Sequence, residues 1–351
     1  MNNDKDFSKF PEVIFAQPFT VNGALAARTE GKVAVLDLGF NNGAPGSKDR
    51  YADFRNTTQA FIDILGDRLV CWVDHHPHEG WAAYTDDPRF ILKPREEAPA
   101  CPPLITSDLV VKVDTIVTHG DFDGVMSAVK YALGGVEPYE GADADAIAAD
   151  TRVGELSEYG RRLEEAMKAD LRADSIREAV YIELVTGDTQ PAIDEARAKY
   201  AAIKAETERL TLLYEERGNI VRFINVVAAQ ARGRVNYDLT QLLMAGQHDD
   251  RVAVALNFDF KGEPQLTISG RRGWNFVSMF GLPGGMPNRV SISIGRLEEV
   301  IEKVNNATVS ISVHDLGLIL NAANYGLPEV RNGRETDHAC GRASDLLKNI
   351  F

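Results

Sequence analysis

Residues 114–124, DTIVTHGDFDG, decide the fold: a β-branched run, Asp114–His119 (DTIVTH), stops abruptly at a cluster of imidazole, glycine and carboxylate. Short apolar runs rich in Ile, Val and Thr and bounded by turn residues form strands rather than helices. Two runs of the same design precede it. They are Lys32–Asp37 (KVAVLD) and Leu69–Asp74 (LVCWVD), the second leading straight into His75, His76 and Pro77. The stretches between them are helix-like. This alternation predicts an α/β fold with a mostly parallel, doubly wound sheet. In open sheets of that kind ligands collect at the carboxyl ends of the strands, so three polar clusters at three strand ends are expected to share one crevice.

Outward from these runs, Val153, Leu156, Tyr159, Leu163 and Met167 recur at three- and four-residue steps and predict a helix from Arg152 to about Lys168. A second helix is expected between Pro191, suited to a first turn, and Gly218, suited to the position just past an end. Asp188, three residues before Pro191, is read as its cap. Strand-like segments follow at Ile220–Val227, Val252–Phe258, Gln265–Ser269 and Arg289–Ile294. The organisation expected is a first domain over 1–190, a connector helix over 191–218, a smaller α+β domain over 219–305 and a helical extension over 306–351. A chain of 351 residues fits two domains better than one core.

With 44% hydrophobic and 26% charged residues the composition is that of an ordinary globular protein. No apolar run approaches the roughly 18 residues of a membrane span, and MNNDKDFSKFPEV lacks the order of a signal peptide, so a cytoplasmic protein without membrane contact is expected. Cys71, Cys101 and Cys340 are widely spaced and without a CxxC pair, which fits free thiols. A formal net charge of −14 disfavours long duplex nucleic acid but leaves small phosphorylated substrates open, because bound cations can supply a site with positive charge. Nothing in the sequence opposes a homo-oligomer.

The chemistry is concentrated at the strand ends. Asp74-His75-His76 offers two adjacent imidazoles that point in different directions, one for a metal and one for a substrate or a neighbour; by itself the triplet is equally a polar turn. His119-Gly120-Asp121-Phe122-Asp123-Gly124 puts an imidazole and two carboxylates within five residues, a donor set suited to Mn²⁺ or Mg²⁺. A calcium loop would want more oxygen donors and no histidine. Asp37 ends the first strand, where a carboxylate can bridge two ions, and Asp150 precedes a predicted helix; either alone would be an ordinary cap or turn residue. Trp72 and Trp81 flank the triplet, the first read as core, the second open to stacking. His248 and His338 sit in polar contexts and are read as surface residues.

These residues resemble the DHH phosphoesterases. VDHHPHEG is similar to the family's name-giving motif, THGDFDGVMSA to its first, VLDLGFNNG to its second and AIAADT to its fourth. The resemblance implies that residues 1–190 form a DHH-like metal-binding domain in which two divalent cations, Mn²⁺ first and Mg²⁺ second, are held. His119, Asp121 and Asp37 would hold one, and Asp123, Asp37, His75 and Asp150 the other. His76, with Asp74 behind it, would act at the scissile phosphate. The motif ordinarily first in the chain comes third here, as a circular permutation of the sheet would produce. LTISGRRGWNFVSMFGLPGGMPNRVSISI (266–294) resembles the accompanying DHHA1 module, with Met286 and Pro287 where a third glycine and a histidine are usual. That likeness implies a substrate-clamping role for Arg271 or Arg272 and close approach of Gly284 and Gly285 to a nucleotide.

The function implied is hydrolysis of a phosphate ester in a dinucleotide, short oligonucleotide or nucleotide phosphate. Two ions roughly 3.5–4 Å apart would neutralise the phosphate and make water nucleophilic. The rivals are an inorganic pyrophosphatase or exopolyphosphatase, with similar metal motifs and a different second domain, and a catalytically silent nucleotide-binding regulator. An intact set of mutually repelling carboxylates argues against the last.

Overall fold

The computed structural model describes residues 10–41, 50–170, 173–259, 262–271, 273–282 and 287–307. The first strand, β1 (Glu12–Ala16), leads through a short α1 (Gly23–Ala26), capped by Asn22, to β2 (Val33–Leu36). Helices α2 (Arg50–Phe54) and α3 (Ala60–Leu65) are joined by a π-helical stretch and return the chain to β3 (Leu69–Asp74), then β4 (Phe90–Leu92) and β5 (Thr115–His119). These five strands form one sheet in the order β1-β5-β2-β3-β4, every pairing parallel.

A parallel sheet must be covered on both faces, and period-two alternation sends neighbouring residues to opposite sides. Val33, Val35, Trp72 and Val117 pack with α1 and α3 on one face. Ala34, Leu36, Cys71, Val73 and Ile116 pack on the other, against α4 (Phe122–Ala132), α6 (Glu158–Ala169) and α7 (Asp174–Thr186). Between α4 and α6 runs α5 (Ala142–Thr151). The α/β expectation with helices on both faces therefore describes this layer.

Beyond it, α8 (Pro191–Thr211) packs on α6, where Arg197 meets Glu165 at 2.8 Å. A second, mixed sheet follows: β6 (Glu215–Arg217), β7 (Val221–Asn225), β8 (Val252–Phe258), β9 (Pro264–Ser269) and β10 (Arg289–Ser293), in the order β10-β9-β8-β7-β6 with only β7 and β8 parallel. Its helices are α9 (Val226–Ala229), α10 (Leu239–Gly246), α11 (Phe276–Met279) and α12 (Leu297–Asn305). Asp238 caps α10 and accepts the Tyr200 hydroxyl at 2.9 Å, tying α8 to this layer. Both sheets belong to one compact unit that ends at Asn306. The extension expected over 306–351 lies, from 308 on, outside the described residues.

Several expectations need correction. The helix expected from Arg152 starts at Glu158: Arg152 adopts φ +58° and closes α5, and Ser157 opens α6 by accepting the amide of Gly160. Val153, counted in the periodic stripe, is exposed. The second helix ends at Thr211, not near Gly218, which has φ +88° and follows β6. That strand reads EER and carries no apolar alternation to betray it. Asp188 is not the cap of α8; Gln190 occupies that position, with its amide bonded to Glu183. Helix α7 and the strands β1 and β4 were not anticipated. No helix among the described residues is long and apolar enough to cross a membrane.

Candidate metal centre

Because the first sheet is parallel, the residues that end its strands emerge on one edge. Asp37 follows β2, His75 follows β3 and His119 is the last residue of β5, the strand beside β2. Asp121 caps α4 by accepting the amide of Gly124, Asp123 lies in its first turn, and Asp150 sits in the last turn of α5 rather than ahead of a helix. Three groups of donor atoms result, each with its atoms within 4.8 Å of one another: Asp37 with His119 and Asp121, His75 with Asp123 and Asp150, and Asp37 with His75 and His76. All six expected metal ligands are thus brought together.

The backbone is held in place for this. Asp37 has φ +51°, a left-handed conformation unfavourable by about 1–2 kcal/mol for a residue other than glycine. Trp72 secures the turn by donating its indole N–H to the Leu38 carbonyl at 3.0 Å, and Asn41 donates its amide to Thr58 at 2.9 Å. Thr118 donates to the Gly124 carbonyl at 2.7 Å. Gly124 owes its place to close approach: a Cβ there would collide with the His119 carbonyl oxygen.

The tautomer of His75 follows from its surroundings. Nδ1 lies 3.0 Å from the Ala98 carbonyl, which can only accept, so Nδ1 carries the proton. Burial, with His76 and Arg95 adding to it, pushes the ring's pKa down to about 4, and the imidazole is neutral near pH 7. Its Nε2 then presents a lone pair, 3.1 Å from Asp37 Oδ1 and 3.5 Å from Asp123 Oδ2. His75 Nε2, both oxygens of Asp37 and Oδ2 of Asp123 are buried and find no hydrogen-bond partner.

The carboxylates titrate in keeping with this. Burial, then the charges of Asp123 and Asp121, holds Asp37 well above the usual carboxylate range. Burial and Asp121 do the same to Asp123. Asp121 goes the other way: burial raises it, but His119, 2.7 Å away, outweighs burial and leaves it low. Burial would lower His119, and Asp121 raises it more. Converging carboxylates and imidazoles of this kind could hold a cation, and mixed carboxylate and imidazole donors suit a divalent ion.

The other expected residues divide. Asp74 is wholly buried and accepts His76 Nδ1–H at 2.8 Å, so it orients that ring and turns Nε2 away from itself. His76 is partly exposed beside the cluster. Arg271 is not brought to this group by any contact: it is 60% exposed and donates to Asp250 at 2.8 Å. Arg272, Gly284, Gly285 and Met286 lie outside the described residues, as do Cys340 and His338. Cys71 and Cys101 are free and buried, the former pushed up to about 12 by burial. Trp72 is core, and His248 is a surface residue paired with Asp249.

Arg95 is the residue that sequence reasoning missed. Its guanidinium donates to both oxygens of Asp150, at 2.7 and 3.2 Å, and lies 2.9 Å from His76 Nε2. The signal was a basic residue after FIL in FILKPREEAP, too short an apolar run to stand out as a strand. Gln17, 3.1 Å from His119 Nε2, was equally unannounced.

No protein-family model matches this chain, and a search of the curated proteins finds no matching relative.

Proposed function

We propose that this protein is a divalent-cation-dependent hydrolase of small phosphate esters, a dinucleotide, short oligonucleotide or nucleotide phosphate, of the kind that the resemblance to the DHH phosphoesterases implies. The observation that carries the reading is the buried face-to-face arrangement of His75 Nε2, Asp37 and Asp123, whose facing atoms find no hydrogen-bond partner. Asp37, His119 and Asp121 would hold one ion, and His75, Asp123 and Asp150, with Asp37 reaching across, the other. Mn²⁺ is the expected ion, since imidazole and carboxylate donors together suit it better than Mg²⁺. Bound there, such ions would neutralise a phosphate and make water nucleophilic near neutral pH.

The chain's own groups supply the rest. Asp74 fixes the ring of His76, whose Nε2, once released by Arg95, would hold a proton or give it to the leaving group. Asp37, in its left-handed turn, keeps its carboxylate between the two groups of donors.

The test is hydrolysis by the purified chain, with Mn²⁺ added, of a dinucleotide such as pApA, a nucleotide 3′-phosphate and pyrophosphate. Asp123→Ala serves as the blank and is expected to lose at least about a hundredfold in turnover with its fold retained. Preference for pyrophosphate would move the substrate to an inorganic one. No cation-dependent hydrolysis of any of the three would overturn the proposal.

A further inference from the structure

Arg95 enters the site on the loop that fixes the tautomer of His75. Lys93 donates its amide to the Asp74 carbonyl at 3.0 Å, the Pro94 carbonyl closes a turn onto Glu97 and Ala98, and the Ala98 carbonyl takes the His75 proton. The same loop therefore sets one donor of the site and delivers a guanidinium to two others. That guanidinium is 37% exposed and the carboxylate it grips is 12% exposed, so the pair reaches solvent at the edge of the cluster and is not sealed in the core.

Asp150 faces two claims. Its carboxylate belongs to the group with His75 and Asp123, and both its oxygens are engaged by Arg95. A carboxylate gripped by both arms of a guanidinium has little left to give a cation, and the positive charge of Arg95 also repels one. On the other side of the guanidinium, His76 Nε2 accepts from Nη2, the very atom through which His76 would address a substrate. Arg95 thus stands where a phosphate oxygen would need a planar, two-pronged donor, beside the residues that would act on it.

We propose that Arg95 is the phosphate-binding residue of this site and that it reaches the phosphate by exchanging partners. When Asp150 turns to a cation, the guanidinium leaves Asp150 and His76 and takes the substrate phosphate in their place, freeing His76 Nε2 in the same movement. No bond to Arg95 is made or broken except hydrogen bonds, and its charge does not change. The inference rests on the proposed cation-dependent phosphate chemistry of the cluster and adds to it the group that recognises the phosphate.

The two roles give opposite signs in one variant. Mn²⁺ binding to the full chain is measured by titration calorimetry for wild type, Arg95→Ala and Arg95→Lys, followed by inorganic phosphate binding to each at saturating Mn²⁺. Arg95→Ala is expected to bind Mn²⁺ about three- to tenfold more tightly, having lost a competitor for Asp150. It should bind phosphate about tenfold or more weakly, having lost a charge-assisted pair of hydrogen bonds. Arg95→Lys, with the charge but not the fork, should fall between the two on both counts and guards against a folding defect in the alanine variant. If Arg95 merely props Asp150 in place, Arg95→Ala binds both Mn²⁺ and phosphate less well, and the inference is overturned. Unchanged phosphate affinity overturns it too, leaving the hydrolase reading intact if wild type still takes up Mn²⁺. A wild type that binds no Mn²⁺ overturns both.

Discussion

His75 Nε2 and Asp37 Oδ1 face each other across 3.1 Å in the interior of the protein, a lone pair against a carboxylate, with the other ring nitrogen committed to the Ala98 carbonyl. Both residues are fully buried. Two acceptors cannot stabilise one another at that distance, so the pair calls for a proton or a cation between them.

Cations should stabilise the fold. Mn²⁺ at about a hundred times its dissociation constant is expected to add about 2.7 kcal/mol, read as a rise in Tm that EDTA reverses. An unchanged Tm in millimolar Mn²⁺ would count against any ion at this cluster.

Asp37→Asn should separate stability from ion binding. The substitution removes the carboxylate that burial, Asp123 and Asp121 oppose, and asparagine tolerates the left-handed backbone there. In chelator the variant should be more stable than wild type by about 1–3 kcal/mol, and the Mn²⁺-dependent rise in Tm should vanish. A variant less stable in chelator would show that the aspartate is compensated by a partner in the wild type.

Gly124→Ala should disturb the centre through the backbone. Its Cβ would run into the His119 carbonyl, and that obstacle is backbone, not the far end of a flexible side chain. A loss of about 1–3 kcal/mol is expected in thermal unfolding, together with weaker Mn²⁺ binding, as His119 and Asp121 are pushed apart from Asp37. Wild-type behaviour on both measures would mean that the loop yields freely.

Away from the centre, Glu183 should govern part of the acid sensitivity. Burial raises its pKa, but Arg162 at 2.5 Å, the Gln190 amide at 2.8 Å and the Tyr159 hydroxyl at 2.9 Å together hold it below the usual value. A depressed folded pKa contributes stability that is fully present above the unfolded value of about 4.3 and is lost as pH falls through the folded one. Glu183→Gln is therefore expected to cost about 2 kcal/mol at pH 7 and progressively less below pH 4, as seen by urea unfolding at a series of pH values. A constant difference from pH 7 to pH 3 would show that packing and not charge carries the effect.

Much of the site was legible in the sequence because its donors are punctuation. Each of Asp37, His75 and His119 interrupts an apolar run, and period-two strands announce themselves by such interruptions. The parallel sheet then follows from the run spacing. What stayed hidden lacks contrast: β4 is three residues long, β6 is EER, and α7 was never set apart from its neighbours. Arg95 was out of reach for the same reason, since its role depends on a strand that cannot be seen and on a pairing 55 residues away with Asp150. Arg271, singled out by likeness alone, pairs with Asp250 in the structure.

The placement of β5 between β1 and β2 has a bearing on how the protein is made. Among the described residues strand β1 touches the sheet only through β5, so the earliest-made strand of this sheet must wait for roughly a hundred later residues before it has a neighbour. At about 5–20 residues per second that is a delay of several seconds. Asp37 and His75 emerge within the same interval, with His119, Asp121, Asp123 and Asp150 still to come. The group of Asp37, His75 and His76 is therefore made before β5, and the two groups that need His119, Asp121, Asp123 and Asp150 assemble only after the last-made strand of that sheet slides into the gap left for it.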